Sequence, residues 1–245
     1  MANTKRLRVF AGPNGSGKTT LAKKLIENGE FKASAFVNAD NIEREIRDNG
    51  SLDFGIFGIH LNITRVIDFF SNHGMSPLKL NDKDIPHRFL LKNNSLIYSG
   101  NINSYIASDL AAFIREELLS ESKSFWFETV FSHSSKLEIM QKAKELNYRI
   151  YFYYIATDSP EINVDRVNIR VAKNGHSVPK DKIISRYYKS LDLLLDAVKI
   201  SDRAFLFDNS EKASKYVCEI TDGRKVTMKT EDIPNWFINY IYNKN

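Results

Sequence analysis

The feature that most constrains this chain is a glycine-rich turn between an apolar segment, residues 7–11, and a helix-forming run, residues 20–26. The turn matches the pattern G-x-x-x-x-G-K-[ST] in full, and its residues are Gly12, Pro13, Asn14, Gly15, Ser16, Gly17, Lys18 and Thr19. Glycines at such positions let successive backbone N–H groups face a phosphate, and the start of the following helix adds its positive dipole end. The pattern predicts a strand, a phosphate-binding loop and a helix, with a nucleoside triphosphate as the first ligand.

We expect the nucleotide site to extend from Gly12 to Thr20. Within it, Lys18 is predicted to reach the β- and γ-phosphates, and Thr19 to offer its hydroxyl to Mg²⁺. The alternative is a chance glycine-rich turn, which the flanking strand and helix disfavour. The motif predicts binding and leaves the reaction open.

Length and composition set limits on the remaining classes of protein. A chain of 245 residues is expected to form one domain, 1–245, with elaborations. No apolar run approaches the roughly 18 residues that span a bilayer, and residues 1–8 lack the apolar stretch of a signal peptide. We therefore expect a cytoplasmic protein with no membrane partner. The single cysteine, Cys218, and the scattered histidines predict no structural metal.

The net charge of +5 is concentrated in one stretch, because residues 160–190 hold seven Lys or Arg against three acids. A lid facing the phosphates of a nucleotide accounts for this excess, so we expect no nucleic-acid partner. A DNA or RNA groove is the alternative that charge alone leaves open.

Strand-like and helix-like segments alternate along the chain, which predicts an α/β protein with a parallel sheet. The expected strands are 7–11, 35–38, 124–128, 149–156 and 204–207, and the expected helices are 18–27, 41–47, 137–146, 161–172 and 180–198. We therefore predict a P-loop NTPase fold: a mostly parallel five-stranded sheet flanked by helices. Active groups should come from the carboxyl ends of its strands.

Two acidic side chains follow predicted strands. Asp40 is a candidate to accept a proton from a substrate hydroxyl that attacks the γ-phosphate. Its alternative role is to cap the next helix, with Glu43 completing a capping box. Glu128, followed by Thr129, is a candidate to hold a sugar hydroxyl or to join the Mg²⁺ shell, and its alternative is a strand-end charge paired with a basic residue.

Two arginines four residues apart, Arg166 and Arg170, share one face of a predicted helix. Side by side, they are candidates to stabilise the charge of a transferred phosphoryl group. The alternative is a solvated face paired with Glu161 or Asp165. The apolar stripe that packs this helix is predicted to be Val164, Val167 and Val171.

Taken together, these motifs resemble the zeta-toxin family of P-loop kinases, in the branch often labelled predicted ABC-type ATPases. The resemblance covers about 6–47 and 103–209. The motifs that carry it are the phosphate loop, Val37-Asn38-Ala39-Asp40, Phe127-Glu128-Thr129, and the run from Arg166 through Val178-Pro179 to Arg186-Tyr187-Tyr188-Lys189-Ser190.

The resemblance implies an ATP- and Mg²⁺-dependent kinase, with the sugar 3′-hydroxyl of UDP-N-acetylglucosamine as an acceptor and an antitoxin protein as a partner. By position it implies Asp40 as the base, and Glu128 with Thr129 at the substrate sugar. It places Arg166 as a lid arginine. Either Arg170 or Arg186 is the second one.

The chain departs from this family between about 50 and 103, where we expect a largely helical insertion, either a substrate wall or a surface decoration. Residues 215–228 predict a C-terminal hairpin around Asp222-Gly223. The alternative functions are a kinase of another nucleotide or of a nucleic-acid end, and a non-kinase nucleotide-dependent switch. The sequence lacks a Leu-Ser-Gly-Gly-Gln signature and an Asn-Lys-x-Asp motif, which favours an ATP-dependent kinase.

Overall fold

A computed structural model describes residues 4–31, 34–173 and 177–244. The chain divides into two compact units, one made of Met1–Ala33 and Trp126–Asn245, the other of Ser34–Phe125. The prediction that residues 1–245 form one domain with an insertion at 50–103 and a lid at 160–190 stays a prediction.

The strands of the described residues are β1 (Arg6–Ala11), β2 (Ala35–Val37), β3 (Ser51–Asp53), β4 (Phe89–Lys92), β5 (Ser95–Tyr98), β6 (Phe125–Thr129), β7 (Arg149–Ala156), β8 (Arg203–Asp208), β9 (Lys215–Thr221) and β10 (Lys225–Met228). The α-helices are α1 (Lys18–Glu27), α2 (Ala39–Asn49), α3 (Ile63–Asn72), α4 (Ser76–Lys79), α5 (Ser104–Ser120), α6 (Ser135–Glu145), α7 (Pro160–Ala172), α8 (Lys180–Asp192), α9 (Leu194–Ile200) and α10 (Asn235–Tyr240).

The first unit is built on a sheet whose strands lie in the order β10-β9-β8-β7-β1-β6. Strand β7 runs parallel to both β1 and β8. Residues 150, 152 and 154–156 of β7 are almost completely buried, as expected for a central strand covered on both faces. The α/β fold with a mostly parallel sheet is therefore confirmed.

The predicted C-terminal hairpin belongs to this same sheet. Strand β9 pairs antiparallel with β8, and β10 pairs antiparallel with β9. The turn between β9 and β10 has positive φ at both Asp222 and Gly223, the conformation that an Asp-Gly pair adopts readily. The hairpin thus adds two antiparallel strands to the predicted sheet.

The ends of three parallel strands come together in the first unit. Ala11 lies beside Tyr154 across the β1–β7 pair, and Ala156 lies beside Asp208 across the β7–β8 pair. The segments that follow β1, β7 and β8 therefore leave the sheet at one edge, the edge where α/β proteins place their ligands.

Within the second unit, residues 50–103 correct the prediction of a helical insertion. Besides α3 and α4, this segment contains a three-stranded antiparallel sheet in the order β3-β5-β4. Strands β4 and β5 are joined by Asn93 and Asn94, both with positive φ. Asparagine tolerates this conformation better than most residues, so the Asn-Asn pair was the sequence signal for a tight hairpin.

In the described part of the chain, no helix is both long and apolar enough to cross a bilayer.

Candidate functional site

The phosphate loop connects β1 to α1 in the first unit, as the sequence pattern predicts. Gly12, Gly15 and Gly17 have φ values of 143°, 76° and 97°, which residues other than glycine rarely adopt. Gly17 is the N-cap of α1 and makes no side-chain capping bond. The N-terminus of a helix carries a partial positive charge, which suits the binding of an anion.

Close packing adds a second reason for glycine in this loop. A Cβ atom at Gly12 would lie 2.1 Å from the carbonyl oxygen of Ile155. At Gly17 it would lie 2.5 Å from the Nδ2 atom of Asn209, so a larger residue there would displace the Asn209 side chain.

Lys18 lies at the start of α1 with its ammonium group turned back over the loop. Its Nζ atom donates to the carbonyl oxygens of Gly12 and Pro13, both at 2.8 Å. The positive charge is thus held at the loop itself, where nucleotide phosphates would compete with these two carbonyls for it.

Thr19 and Glu128 meet across the sheet edge although they are far apart in sequence. The Thr19 hydroxyl donates to a carboxylate oxygen of Glu128 at 2.7 Å. A hydroxyl and a carboxylate are oxygen ligands of the kind that Mg²⁺ prefers, so this pair fits the predicted metal. In the described residues no group of three His, Cys, Asp or Glu side chains could hold a metal by itself.

The neighbouring threonines are placed differently. Thr20 lies exposed in the first turn of α1. The Thr129 hydroxyl accepts a hydrogen bond of 3.0 Å from the backbone N–H of Phe131, a residue with a positive φ of 59°. Thr129 therefore stabilises the turn after β6, and its contact with a substrate sugar stays a prediction.

Two asparagines that the sequence analysis missed donate hydrogen bonds to backbone carbonyls of the phosphate loop. Nδ2 of Asn163 on α7 donates to the Asn14 carbonyl at 2.6 Å, and Nδ2 of Asn209 after β8 donates to the Ser16 carbonyl at 2.8 Å. Asn163 is completely buried. The only sequence signal was a single asparagine on an otherwise apolar face of the predicted helix. Polar side chains on such a face are rarely buried without a specific hydrogen-bond partner.

The segment after β8 is fixed by a hydrogen-bond network around Asp208. This buried carboxylate accepts hydrogen bonds from the Ser210 backbone N–H, the Ser210 hydroxyl and the Trp236 indole N–H, at 3.0, 2.9 and 2.8 Å. Burial raises the pKa of nearby Asp158, and the charge of Asp208 raises it further. The C-terminal helix α10, for which the sequence suggested no role in the chemistry, therefore supports the loop that carries Asn209.

Arg166 extends from α7 beside the phosphate loop, and its Cβ lies 3.4 Å from the position that a Cβ of Gly15 would take. Its guanidinium donates to the backbone carbonyls of Ser210 and Glu211, at 3.5 and 3.1 Å. A cavity of about 410 Å³ opens here, lined by Ile162, Asp165, Arg166, Ser210, Glu211 and Lys212. The positive group thus lies between the loop and a cavity large enough for part of a ligand.

The other predicted features of α7 differ from Arg166. Arg170 is exposed, one turn further along the helix. Val164 and Val167 pack against Ile183 of α8, as the stripe predicts, but Val171 is 39% exposed, so its assignment to the packed face was wrong. Val171 lies in the last turn of α7, which ends at Ala172. Part of the family motif, residues 174–176, lies outside the described residues.

Asp40 belongs to the second unit and lies exposed in the first turn of α2. The N-cap of α2 is Asn38, whose side chain accepts from the Asn41 backbone N–H at 3.1 Å. Glu43 is buried and pairs with Arg47. The alternative interpretation of Asp40 as the helix cap, with Glu43 in a capping box, was therefore wrong, because Asn38 is the N-cap and accepts the capping hydrogen bond.

No protein-family model matches the chain. Among curated proteins, an uncharacterized protein of Haemophilus influenzae is 33% identical over 63 residues, a segment that covers 26% of this chain and 45% of that protein. The chain therefore spans less than half the length of this relative.

Among solved structures, the chain is similar to one in the AvrRxo1-ORF1:AvrRxo1-ORF2 complex with sulphate ions, with a TM-score of 0.54 and 14% identity. That match covers 94% of this chain and 62% of the other. The same complex with ATP matches with a TM-score of 0.54 over 93% of this chain and 61% of the other. At this identity the similarity establishes the fold alone. A structure from the PezAT chromosomal toxin-antitoxin system of Streptococcus pneumoniae has a TM-score of 0.48 and 13% identity, covering 88% of this chain and 71% of that one, which is too distant to support a functional conclusion.

Proposed function

We propose that this protein is an ATP-dependent phosphotransferase of the zeta-toxin-like P-loop kinase type, which transfers the γ-phosphoryl group to a hydroxyl of a small metabolite. The observation that carries this proposal is the geometry of the loop that connects β1 to α1. Three glycines with positive φ, the Lys18 ammonium group and the contact between Thr19 and Glu128 all converge there. Phosphoryl transfer needs such an arrangement, because its catalysis depends on positioning and charge neutralisation.

In the proposed reaction, the acceptor oxygen forms a bond to the γ-phosphorus while the bond from that phosphorus to the bridging oxygen of ADP breaks. The acceptor proton passes to a carboxylate, and the resemblance to the zeta-toxin family assigns this role to Asp40. Lys18 would exchange its two carbonyl partners for phosphate oxygens. Mg²⁺, held through Thr19 with Glu128 in its shell, would supply further positive charge at the phosphates.

The nucleotide and the acceptor are supported to different extents. The phosphate loop and the cavity beside Arg166 fit a nucleoside triphosphate, and one structure with the same fold was solved with ATP. For the acceptor, the resemblance to the zeta-toxin family favours the sugar of UDP-N-acetylglucosamine. Glu128 and Thr129 are the residues proposed to hold it, with Arg166 and either Arg170 or Arg186 at the phosphates. An antitoxin protein is the proposed partner.

The test is a reaction of the purified chain with labelled ATP, Mg²⁺ and a panel of sugar nucleotides, nucleosides and dinucleotides. Mass spectrometry should detect one product heavier by one phosphate. Lys18→Ala should abolish product formation, because the variant loses the charge at the loop. Asp40→Asn should keep ATP binding and slow transfer about 100-fold or more, the usual contribution of a general base.

The matched control is Asp48→Asn, which removes an exposed carboxylate from the same helix α2 and should leave transfer unchanged. Normal turnover by Asp40→Asn would exclude this residue as the base. ATP hydrolysis that DNA stimulates, without any phosphorylated product, would instead support the nucleotide-dependent switch.

A further inference from the structure

We propose that Asn163 and Asn209 are positioning residues that orient the peptide groups of the phosphate loop toward a bound phosphate. This inference rests on the proposed function, because it assigns both amides a role in binding the phosphates of a nucleotide. Neither side chain is part of the loop motif, and each reaches the loop from a different element of the first unit.

Both the oxygen and the nitrogen of the Asn163 side-chain amide form hydrogen bonds. Its oxygen accepts from the hydroxyl of Thr157, and its Nδ2 donates to the Asn14 carbonyl at 2.6 Å. Because the Asn14 carbonyl can only accept a hydrogen bond, the NH₂ group of Asn163 must face the loop. The side chain is completely buried in α7, so its orientation is fixed by packing as well.

The second amide is anchored through its own backbone. The Asn209 backbone N–H donates to the Ala156 carbonyl at 2.8 Å, which ties the residue to the end of β7. Its Nδ2 then donates to the Ser16 carbonyl at 2.8 Å. The Asp208 network with Ser210 and Trp236 holds the following residues in place.

The geometry of the peptide bond converts these two contacts into an orientation of N–H groups. In a trans peptide, the carbonyl of one residue and the N–H of the next point in opposite directions. The described residues contain no cis peptide. The Asn14 and Ser16 carbonyls point toward Asn163 and Asn209, which donate to them. The N–H groups of Gly15 and Gly17 therefore point away from these two asparagines. That is the side on which a phosphate loop presents its donors.

The two amides also limit the freedom of a loop that contains three glycines. Glycine loses more conformational entropy on ordering than any other residue, and binding is weaker when this cost falls at the moment of association. A loop held in advance by Asn163 and Asn209 avoids part of that cost. The affinity for the phosphates should therefore depend on side chains that touch none of them.

The experiment measures binding of ATP and of inorganic triphosphate, the latter as a competitor of ATP, by calorimetry on the full chain. Asn209→Ala should lower the affinity for ATP about fivefold to tenfold, the effect of losing one hydrogen bond of this kind. It should lower the affinity for inorganic triphosphate by the same factor, because the amide acts on the phosphate loop and not on the nucleobase. Asn209→Asp keeps the size of the side chain, cannot donate when ionised, and should bind both ligands at least as weakly.

Asn168→Ala, on the exposed face of α7, is the matched control and should bind like the native chain. Native-like affinity of both Asn209 variants would overturn the positioning role, and so would a loss for ATP without a loss for triphosphate. Failure of triphosphate to compete for the native chain would also overturn it. If the native chain itself did not bind ATP, the proposed function would fail instead, so the two failures are distinguishable.

Discussion

At the scale of single residues, the contact between Glu128 and Thr19 is the one on which metal binding depends in our proposal. The carboxylate lies at the end of β6, and the hydroxyl lies in the first turn of α1. Each supplies oxygen, and the pair is held by a hydrogen bond of 2.7 Å. Thr19, which keeps its hydroxyl proton, and Glu128 would together hold Mg²⁺, and the ion would supply positive charge beside the nucleotide phosphates.

Glu128→Gln should weaken binding of ATP in the presence of Mg²⁺ by about tenfold or more, the usual effect of changing a group that supports a metal ligand. Binding of ATP without Mg²⁺ should be unchanged or stronger, because a negative charge beside the phosphates is removed. Calorimetric titrations with Mg²⁺ and with a chelator measure both values. Glu145→Gln, at an exposed position of α6, is the control, and an equal loss of affinity with and without Mg²⁺ would contradict the metal role.

At the scale of elements, α7 serves two purposes at once. Val164 and Val167 pack against Ile183 of α8, while Asn163 and Arg166 are the residues of α7 that lie beside the phosphate loop. The packing of the two helices therefore determines where the amide and the guanidinium lie. A helix that shifts by a fraction of a turn would displace both groups together.

Two valines of α7 provide a matched test of this packing. Val167→Ala should lower the free energy of unfolding by about 1–3 kcal/mol, because Val167 is 1% exposed and its removal leaves a cavity. Val171→Ala, one turn later and 39% exposed, should change it by less than about 0.5 kcal/mol. Urea unfolding of both variants measures the difference. A loss at Val167 as small as that at Val171 would mean that the α7–α8 contact contributes little to stability.

At the scale of the whole molecule, the alkylation rate of the single cysteine measures how often the core opens. Cys218 lies completely buried in β9, between β8 and β10. Burial raises the pKa of its thiol to about 12. Its reactive thiolate is therefore nearly absent at neutral pH, and a reagent reaches it only when this part of the sheet opens.

Alkylation of the native chain at pH 8 should thus be slow, with roughly one thiol in 10,000 ionised at a pKa near 12, and urea should make it fast and complete. Mass spectrometry of iodoacetamide adducts over time measures the rate. Addition of ATP and Mg²⁺ should slow the reaction further, since a ligand that binds only the folded state stabilises it. Rapid labelling without denaturant would show that the described burial of Cys218 is wrong.

The parts of the site that the sequence predicted are local in origin. Gly12, Gly15 and Gly17 need positive φ, and this need is met by residue type within a few positions of the chain. The alternation of strands and helices likewise depends on short-range patterns. The insertion was predicted less well, because short antiparallel strands such as β4 and β5 carry weak periodicity and depend on the Asn93-Asn94 turn.

The sequence by itself determined an α/β fold with a phosphate loop, Lys18 and Thr19 at the start of α1, and a hairpin at the C-terminal end. Only the tertiary structure placed Glu128 against Thr19, 109 positions away, and Asn163 and Asn209 against loop carbonyls 149 and 193 positions away. The physical reason is that hydrogen bonds between side chains and distant backbone are set by how strands and helices pack. A pattern of residues that are neighbours in sequence does not specify which distant residues will come into contact.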